Sequence, residues 1–180
     1  MKATGMIRRI DDLGRIVIPK EIRKTMHIRE SDPLEIFTEK DGTIILKKYS
    51  PIGEMGNHAQ LYAQSIASQI PYTICICDQD CVIAAAGPNA KNFLGKPLDE
   101  KSQILLSERK NILVDRTKDD FFPFVSDFKE SFQYACLATI ISESEAIGFV
   151  CIFSIDKKLS DQELLIAKIA AGFLGKQLEA

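Results

Sequence analysis

Two glycine-bearing turns and a proline cut the first fifty residues into pieces too short for anything but a small β-rich unit. Asp11-Asp12-Leu13-Gly14 separates one β-like run, residues 6–10, from another, residues 15–18. Gly14 can take the positive φ that such a turn requires. Pro19 ends the second run and suits the first turn of a short helix to about Met26, because a proline there gives up an N–H that has no helical partner anyway. Lys40-Asp41-Gly42 then lies between runs 34–38 and 43–48, and an Asp-Gly pair in that setting is a strong hairpin signal. The order is β-β-α-β-β. Such a unit has too few apolar side chains to bury a stable core alone. The pattern predicts an obligate dimer, with a lone β-rich domain docked on the rest of the chain as the alternative.

The stretch from Pro51 to Gly56 breaks this pattern. Ile52, Met55, Ala59, Tyr62 and Ile66 then recur at helical spacing, an a/d seam over about two heptads. Sustained coiled coils need more repeats. The seam fits a short coiled coil between chains and a helix packed on its own domain equally well. From Pro71 the sequence turns strand-like at 72–77 and 81–86, joined by Asp78-Gln79-Asp80 and stopped by Gly87-Pro88. A short helix through Asn92, Phe93 and Leu94 ends at Gly95, and a second is expected from about Asp99 to Arg109. Long strands at 132–141 and 147–155 flank a polar turn at 142–145. Ser160 with Glu163 forms a capping box for a closing helix whose apolar side carries Leu164, Leu165, Ala167, Ile169, Phe173 and Leu178. Residues 118–128 suit no single element. Their Phe121, Phe122 and Phe124 are read as core, with a pocket lid or a chain-to-chain contact as the alternatives. Three parts result: a β-rich unit at 1–50, a linker helix at 51–70 and an α+β layout of sensor type at 71–180.

Charge divides the chain in the same way. Residues 1–50 carry 11 Lys+Arg against 8 Asp+Glu, a net +3, whereas residues 51–180 carry 12 against 17, a net −5. Only the first part is suited to a polyanion. Arg8 and Arg9 are adjacent in a strand, so they face opposite sides and cannot both point inward. Arg15 opens the second strand, and Arg23 and Lys24 sit on the two-turn helix. Arginine presents a planar donor fork to phosphates and guanine edges, and a dimer would double this surface. A solvated face balanced by Asp11, Asp12 and Glu21 remains the alternative on spacing alone.

The five cysteines, Cys75, Cys77, Cys81, Cys136 and Cys151, lie in apolar strand-like sequence. Their odd number suits reduced thiols in a cytoplasmic protein. Residues i and i+2 of a strand chelate poorly, and His27 and His58 are far away, so no metal site is expected. The apolar runs are too short to cross a bilayer. No Gly-rich phosphate loop, nucleophile elbow or metal-binding His pair points to catalysis.

The string Met1-Lys2-Ala3-Thr4-Gly5-Met6-Ile7-Arg8-Arg9-Ile10-Asp11-Asp12-Leu13-Gly14-Arg15-Ile16-Val17-Ile18-Pro19-Lys20-Glu21-Ile22-Arg23 resembles the AbrB family of transition-state regulators. The likeness continues through Leu34-Glu35-Ile36 and Ile44-Ile45-Leu46-Lys47-Lys48-Tyr49. It implies a swapped-hairpin β-barrel built by two chains, and contacts to double-stranded DNA from Arg8, Arg15, Arg23 and the basic residue after it. That residue is Lys24, where relatives often carry arginine, so a point charge stands in for a bidentate contact. The family resemblance implies readout of DNA shape more than of a strict sequence. The second part resembles a GAF domain in strand and helix order, which implies a pocket beside its sheet for a small ligand, with no pocket residue assigned.

The combination resembles regulators active in the developing spore, which implies a nucleoid-associated protein controlling sporulation genes in the forespore. The expectation is therefore a DNA-binding transcription regulator, not an enzyme. It would be a dimer through residues 1–50 and a tetramer through the C-terminal helices, with an unidentified small ligand and no membrane contact. Two rivals are an antitoxin of the swapped-hairpin type and a cysteine-dependent methionine sulfoxide reductase of the GAF type.

Overall fold

The computed structural model describes residues 4–118, 121–126 and 132–179. The chain divides into two compact units, Met1–Tyr49 and Ser50–Ala180.

In the first unit, helix α1 (Lys20–Thr25) starts directly after Pro19, which serves as the N-cap at φ −55° rather than as the first helical residue. Strands β1 (Leu34–Thr38) and β2 (Ile44–Lys48) form an antiparallel hairpin in the register Leu34↔Lys48 to Thr38↔Ile44. Its turn uses Gly42 at φ +87°, and the Asp41 carboxylate accepts from the Thr43 N–H at 2.9 Å. Lys48 fastens this hairpin to the loop before it, reaching Asp32 Oδ2 at 3.1 Å and the His27 carbonyl at 3.3 Å.

The expected strands at 6–10 and 15–18 are absent as paired strands. Two backbone bonds, Asp11 N–H to the Arg15 carbonyl and Gly14 N–H to the Asp11 carbonyl, both at 3.0 Å, close the turn between them, and Gly14 takes φ +75° there. Beyond it neither arm joins a ladder. The physical reason is that a strand is defined by its neighbour. The β1–β2 pair does not extend to these arms, so their apolar side chains stay in the open: Ile7 is 88% and Val17 71% exposed.

The second unit is built on one antiparallel sheet in the order β4-β3-β7-β6-β5, comprising β3 (Thr73–Cys77), β4 (Val82–Ala86), β5 (Ile112–Asp115), β6 (Tyr134–Ser142) and β7 (Glu145–Ser154). Both faces are covered, which is why the central strands read as nearly continuous apolar runs instead of alternating ones. On one face Ile74, Ile76, Ala138, Ile140 and Ile152 pack under α3 (Gly56–Ala67) and α5 (Asp161–Leu178). On the other face Cys75, Leu137, Phe149, Cys151 and Phe153 pack under Phe93, Leu106, Phe122, Phe124 and Phe132. Phe122 and Phe124 are core residues, as read from the sequence. Asp119, Asp120 and residues 127–131 of the same segment lie outside the described residues.

The 51–70 seam is spent on this unit. Ile52 lies on the short helix α2 (Pro51–Glu54), and Ile52, Ala59 and Ala63 are fully buried against the sheet, with Met55, Tyr62 and Ile66 packed around them. Small residues let the helices approach closely: α5 turns Ala167, Ala170, Ala171 and Gly175 inward. A Cβ on Gly175 would lie 2.1 Å from the Ile141 carbonyl oxygen. The edge strand β4 is capped by a side chain. Gln60 donates to the Ala85 carbonyl at 2.8 Å and accepts from the Ala85 N–H at 3.1 Å, filling the place of a neighbouring strand.

Strand β5 was missed in the sequence, because three apolar residues between Asn111 and Asp115 are too few to stand out. The β6–β7 turn places Glu143 and Ser144 at φ +47° and +67°, the two-residue geometry that matches strand twist. Helix α4 (Glu100–Ser107) is capped by Asp99, and α5 carries the complete Ser160–Glu163 capping box.

Candidate nucleic-acid interface

All five basic residues singled out in the sequence are exposed. Arg8 and Arg9 lie on the first arm and Arg15 at the base of the turn. Arg23 and Lys24 fall in the last turn of α1, where Ile22 turns inward and is half-buried.

Arg15 is the best defined of them. The Asp11 carboxylate accepts from the Arg15 N–H at 2.7 Å and the Leu13 N–H at 3.0 Å, and its other oxygen holds the Arg15 Nε at 2.9 Å. The Arg15 backbone N–H, then its side chain, hold the Asp11 carboxyl below the usual carboxylate range. Asp11 thus stays ionised at neutral pH and aims the Arg15 guanidinium from the turn. The sequence reading places Asp11 in the turn and counts it as a balancing charge, without its bond to Arg15. The Asp-x-x-Gly-Arg spacing, which lets one carboxylate reach two N–H groups around a tight turn, was the available signal.

The second unit carries a different surface. Leu165, Ile169 and Phe173 are exposed at four-residue spacing along α5, Ile169 at 63%, and Leu61 is exposed on α3. Phe173 stacks on Tyr62 with ring centroids 5.1 Å apart. A groove of about 340 Å³ runs there between Leu61, Tyr62 and Phe173. One apolar stripe on a helix whose other side already faces the core is a feature of helices that meet a partner.

The cysteines are poor nucleophiles in this setting. Burial pushes the Cys75 and Cys77 thiols well up, Cys81 and Cys136 to about 12 and Cys151 to about 11. At neutral pH they stay protonated, and a thiol attacks only as its thiolate.

Comparison with known proteins finds separate matches for the two parts of the chain. Residues 7–54 match the model of the antidote-toxin recognition family MazE, bacterial antitoxins. Over 51 residues the chain is 57% identical to the transition state regulatory protein AbrB of Bacillus subtilis (strain 168), which covers 28% of this chain and 52% of that protein. The second unit has the fold of the GAF domain from Acinetobacter phosphoenolpyruvate-protein phosphotransferase. The TM-score is 0.53 at 10% identity, over 73% of this chain and 84% of that one.

An AbrB-like N-terminal domain joined to a GAF-like α+β domain defines the class, a two-part transcription regulator. Residues 54–179 match the family model of the stage V sporulation protein T C-terminal domain, a transcription factor, and the chain belongs to that family. It is 43% identical over 179 residues to stage V sporulation protein T of Bacillus subtilis (strain 168), covering 99% of each chain.

Proposed function

We propose that two copies of residues 1–50 build one head that holds double-stranded DNA through Arg8, Arg9, Arg15, Arg23 and Lys24. Residues 71–180, led into by the helix at 51–70, associate through the outer faces of α3 and α5 and hold a small ligand that tunes the head. The observation that carries this reading is the pair of unpaired arms flanking Asp11–Gly14, rich in exposed apolar and basic side chains. A second chain supplies the missing strand neighbours and covers the apolar side, which leaves the arginines of both chains on one surface.

Each dimeric head carries ten of these basic side chains, enough for roughly eight phosphate contacts and a non-specific affinity that falls steeply with salt. The protein works as a regulator of sporulation genes in the cytoplasm of the developing spore. It is not an enzyme, a reading supported by the protonated, buried thiols. The match to an antitoxin family model covers the head only. Beyond residue 54 the chain folds into a sheet with a core on each face, unlike the extended tail with which an antitoxin embraces a toxin.

The assembly reading is tested by native mass spectrometry of the full-length protein and its Ile169→Glu variant. The wild type is expected as four chains and the variant as two, because a charge in the apolar stripe of α5 must be desolvated whenever that face is covered. A wild-type monomer, or a variant that keeps four chains, would overturn association through α5.

A further inference from the structure

The face of the sheet opposite α3 and α5 has an opening at its edge, not at its centre. The centre is filled by phenylalanine rings: Phe93 stacks on Phe153 at 4.8 Å, and Phe124 and Phe132 close on Phe153 at 5.1 and 4.7 Å. At the edge, a cavity of about 320 Å³ lies between α4, strand β5 and Phe122, within the usual size range of small-molecule sites. Its walls are apolar. Ile104 of α4 is 55% exposed, and Ile112 and Val114 of β5 line the space from the same face of the sheet.

Among the described residues, two cations and no carboxylate line this space. Lys101 Nζ lies 6.0 Å from the centroid of the Phe122 ring, and Lys110 comes from the residue pair preceding β5. Lys110 also pairs with Glu108 at 2.8 Å, but both side chains are about half exposed. Such surface pairs are weak and exchange readily.

We propose that this cavity binds an amphiphilic monoanion, with its apolar body against Ile104, Ile112 and Phe122 and its carboxylate on Lys101 and Lys110. An apolar wall alone would take any greasy molecule. Two lysines in the lining, both exposed, select one whose charge can remain partly hydrated while its tail is buried. The assignment rests on the reading that the second unit holds a small ligand, and names its site and its chemical class.

The test is equilibrium dialysis of radiolabelled octanoate against the full-length protein without DNA, with octanamide as the neutral competitor. Saturable binding is expected, with octanamide competing at least about tenfold less well than unlabelled octanoate, a difference of about 1.4 kcal/mol. The K101M/K110M double variant should lose about tenfold or more in affinity. Ile104→Trp, which fills the cavity from an exposed position and keeps both lysines, should abolish binding, with the melting temperature followed in every variant. Equal competition by octanamide, unchanged binding in a folded double variant, or no saturable binding would each overturn the proposal. Since no DNA is present, such a failure would leave the DNA-binding head standing. A different co-purifying small molecule in the native mass spectrum would keep the sensor reading and remove this ligand.

Discussion

Arg15→Ala is expected to weaken binding of the full-length protein to duplex DNA by about tenfold or more at physiological ionic strength and to flatten its salt dependence. The dimeric head presents Arg15 twice. With roughly eight phosphate contacts, log affinity should fall with log salt at a slope near −7, and each lost contact should remove about 0.9 from it. The variant slope is therefore expected near −5. Arg15 is exposed and its hydrogen bonds lie within the turn, so the fold should persist. Backbone donors to Asp11 remain after the substitution, since Leu13 N–H and residue 15 N–H are main-chain groups. Arg15→Lys should restore the slope but not the full affinity, because a point charge replaces the planar fork. Fluorescence anisotropy between 50 and 300 mM salt reads both quantities. A slope unchanged in Arg15→Ala would take this residue out of the contact set.

Two glycines three residues apart on α5 should respond to alanine with opposite signs. Within its own chain Gly172 has nothing within 4 Å of an added Cβ. Alanine there lowers the entropy lost on forming the helix and should stabilise by about 0.5–1 kcal/mol. Gly175 lies against β6, where an added Cβ would come within 2.1 Å of the Ile141 carbonyl oxygen and 3.1 Å of its carbon. Backbone cannot yield as a flexible side chain does, so α5 must lift from the sheet and loosen the packing of Ala171 and Leu174. Overpacking of this kind costs about 1–3 kcal/mol, and the lost burial adds to it. Gly175→Ala should therefore lower the midpoint of urea unfolding by much more than Gly172→Ala raises it. Equal shifts would mean that α5 does not sit as close to β6 as described.

What was legible in the sequence followed from local chemistry. The capping box at Ser160 and Glu163, the Asp-Gly turn before Thr43 and the Gly87 stop each act within a few residues, and each appears where expected. Gly87, at φ +92°, also lies where a Cβ would meet the Tyr72 carbonyl at 2.3 Å, a contact made across strands and invisible in the linear order. The seam from Ile52 to Ile66 shows the limit of periodicity. Its spacing marks an apolar face and says nothing of what covers that face, and the sheet of the same unit covers it.

The first arms show the same limit from the other side. Residues 6–10 and 15–18 have the composition of strands, but pairing belongs to two segments together, and among the described residues neither run has a ladder partner. The Asp11–Arg15 pair needed the turn to be built before its geometry could be seen. The edge cavity needed β5, whose three apolar residues gave little warning.

The central claim is that the two arms find their strand partners in another chain. Amide hydrogen exchange of the full-length protein, resolved to residues 6–10 and 15–18, tests it most directly. Within one chain none of these amides donates into a ladder, the Arg15 N–H reaching only the Asp11 carboxylate and the Met6 N–H the Thr4 hydroxyl, so an isolated chain would exchange them almost at once. Protection comparable to that of β1 and β2 is the result expected of a head built by two chains. Exchange in both arms at the rate of an unstructured peptide would contradict it.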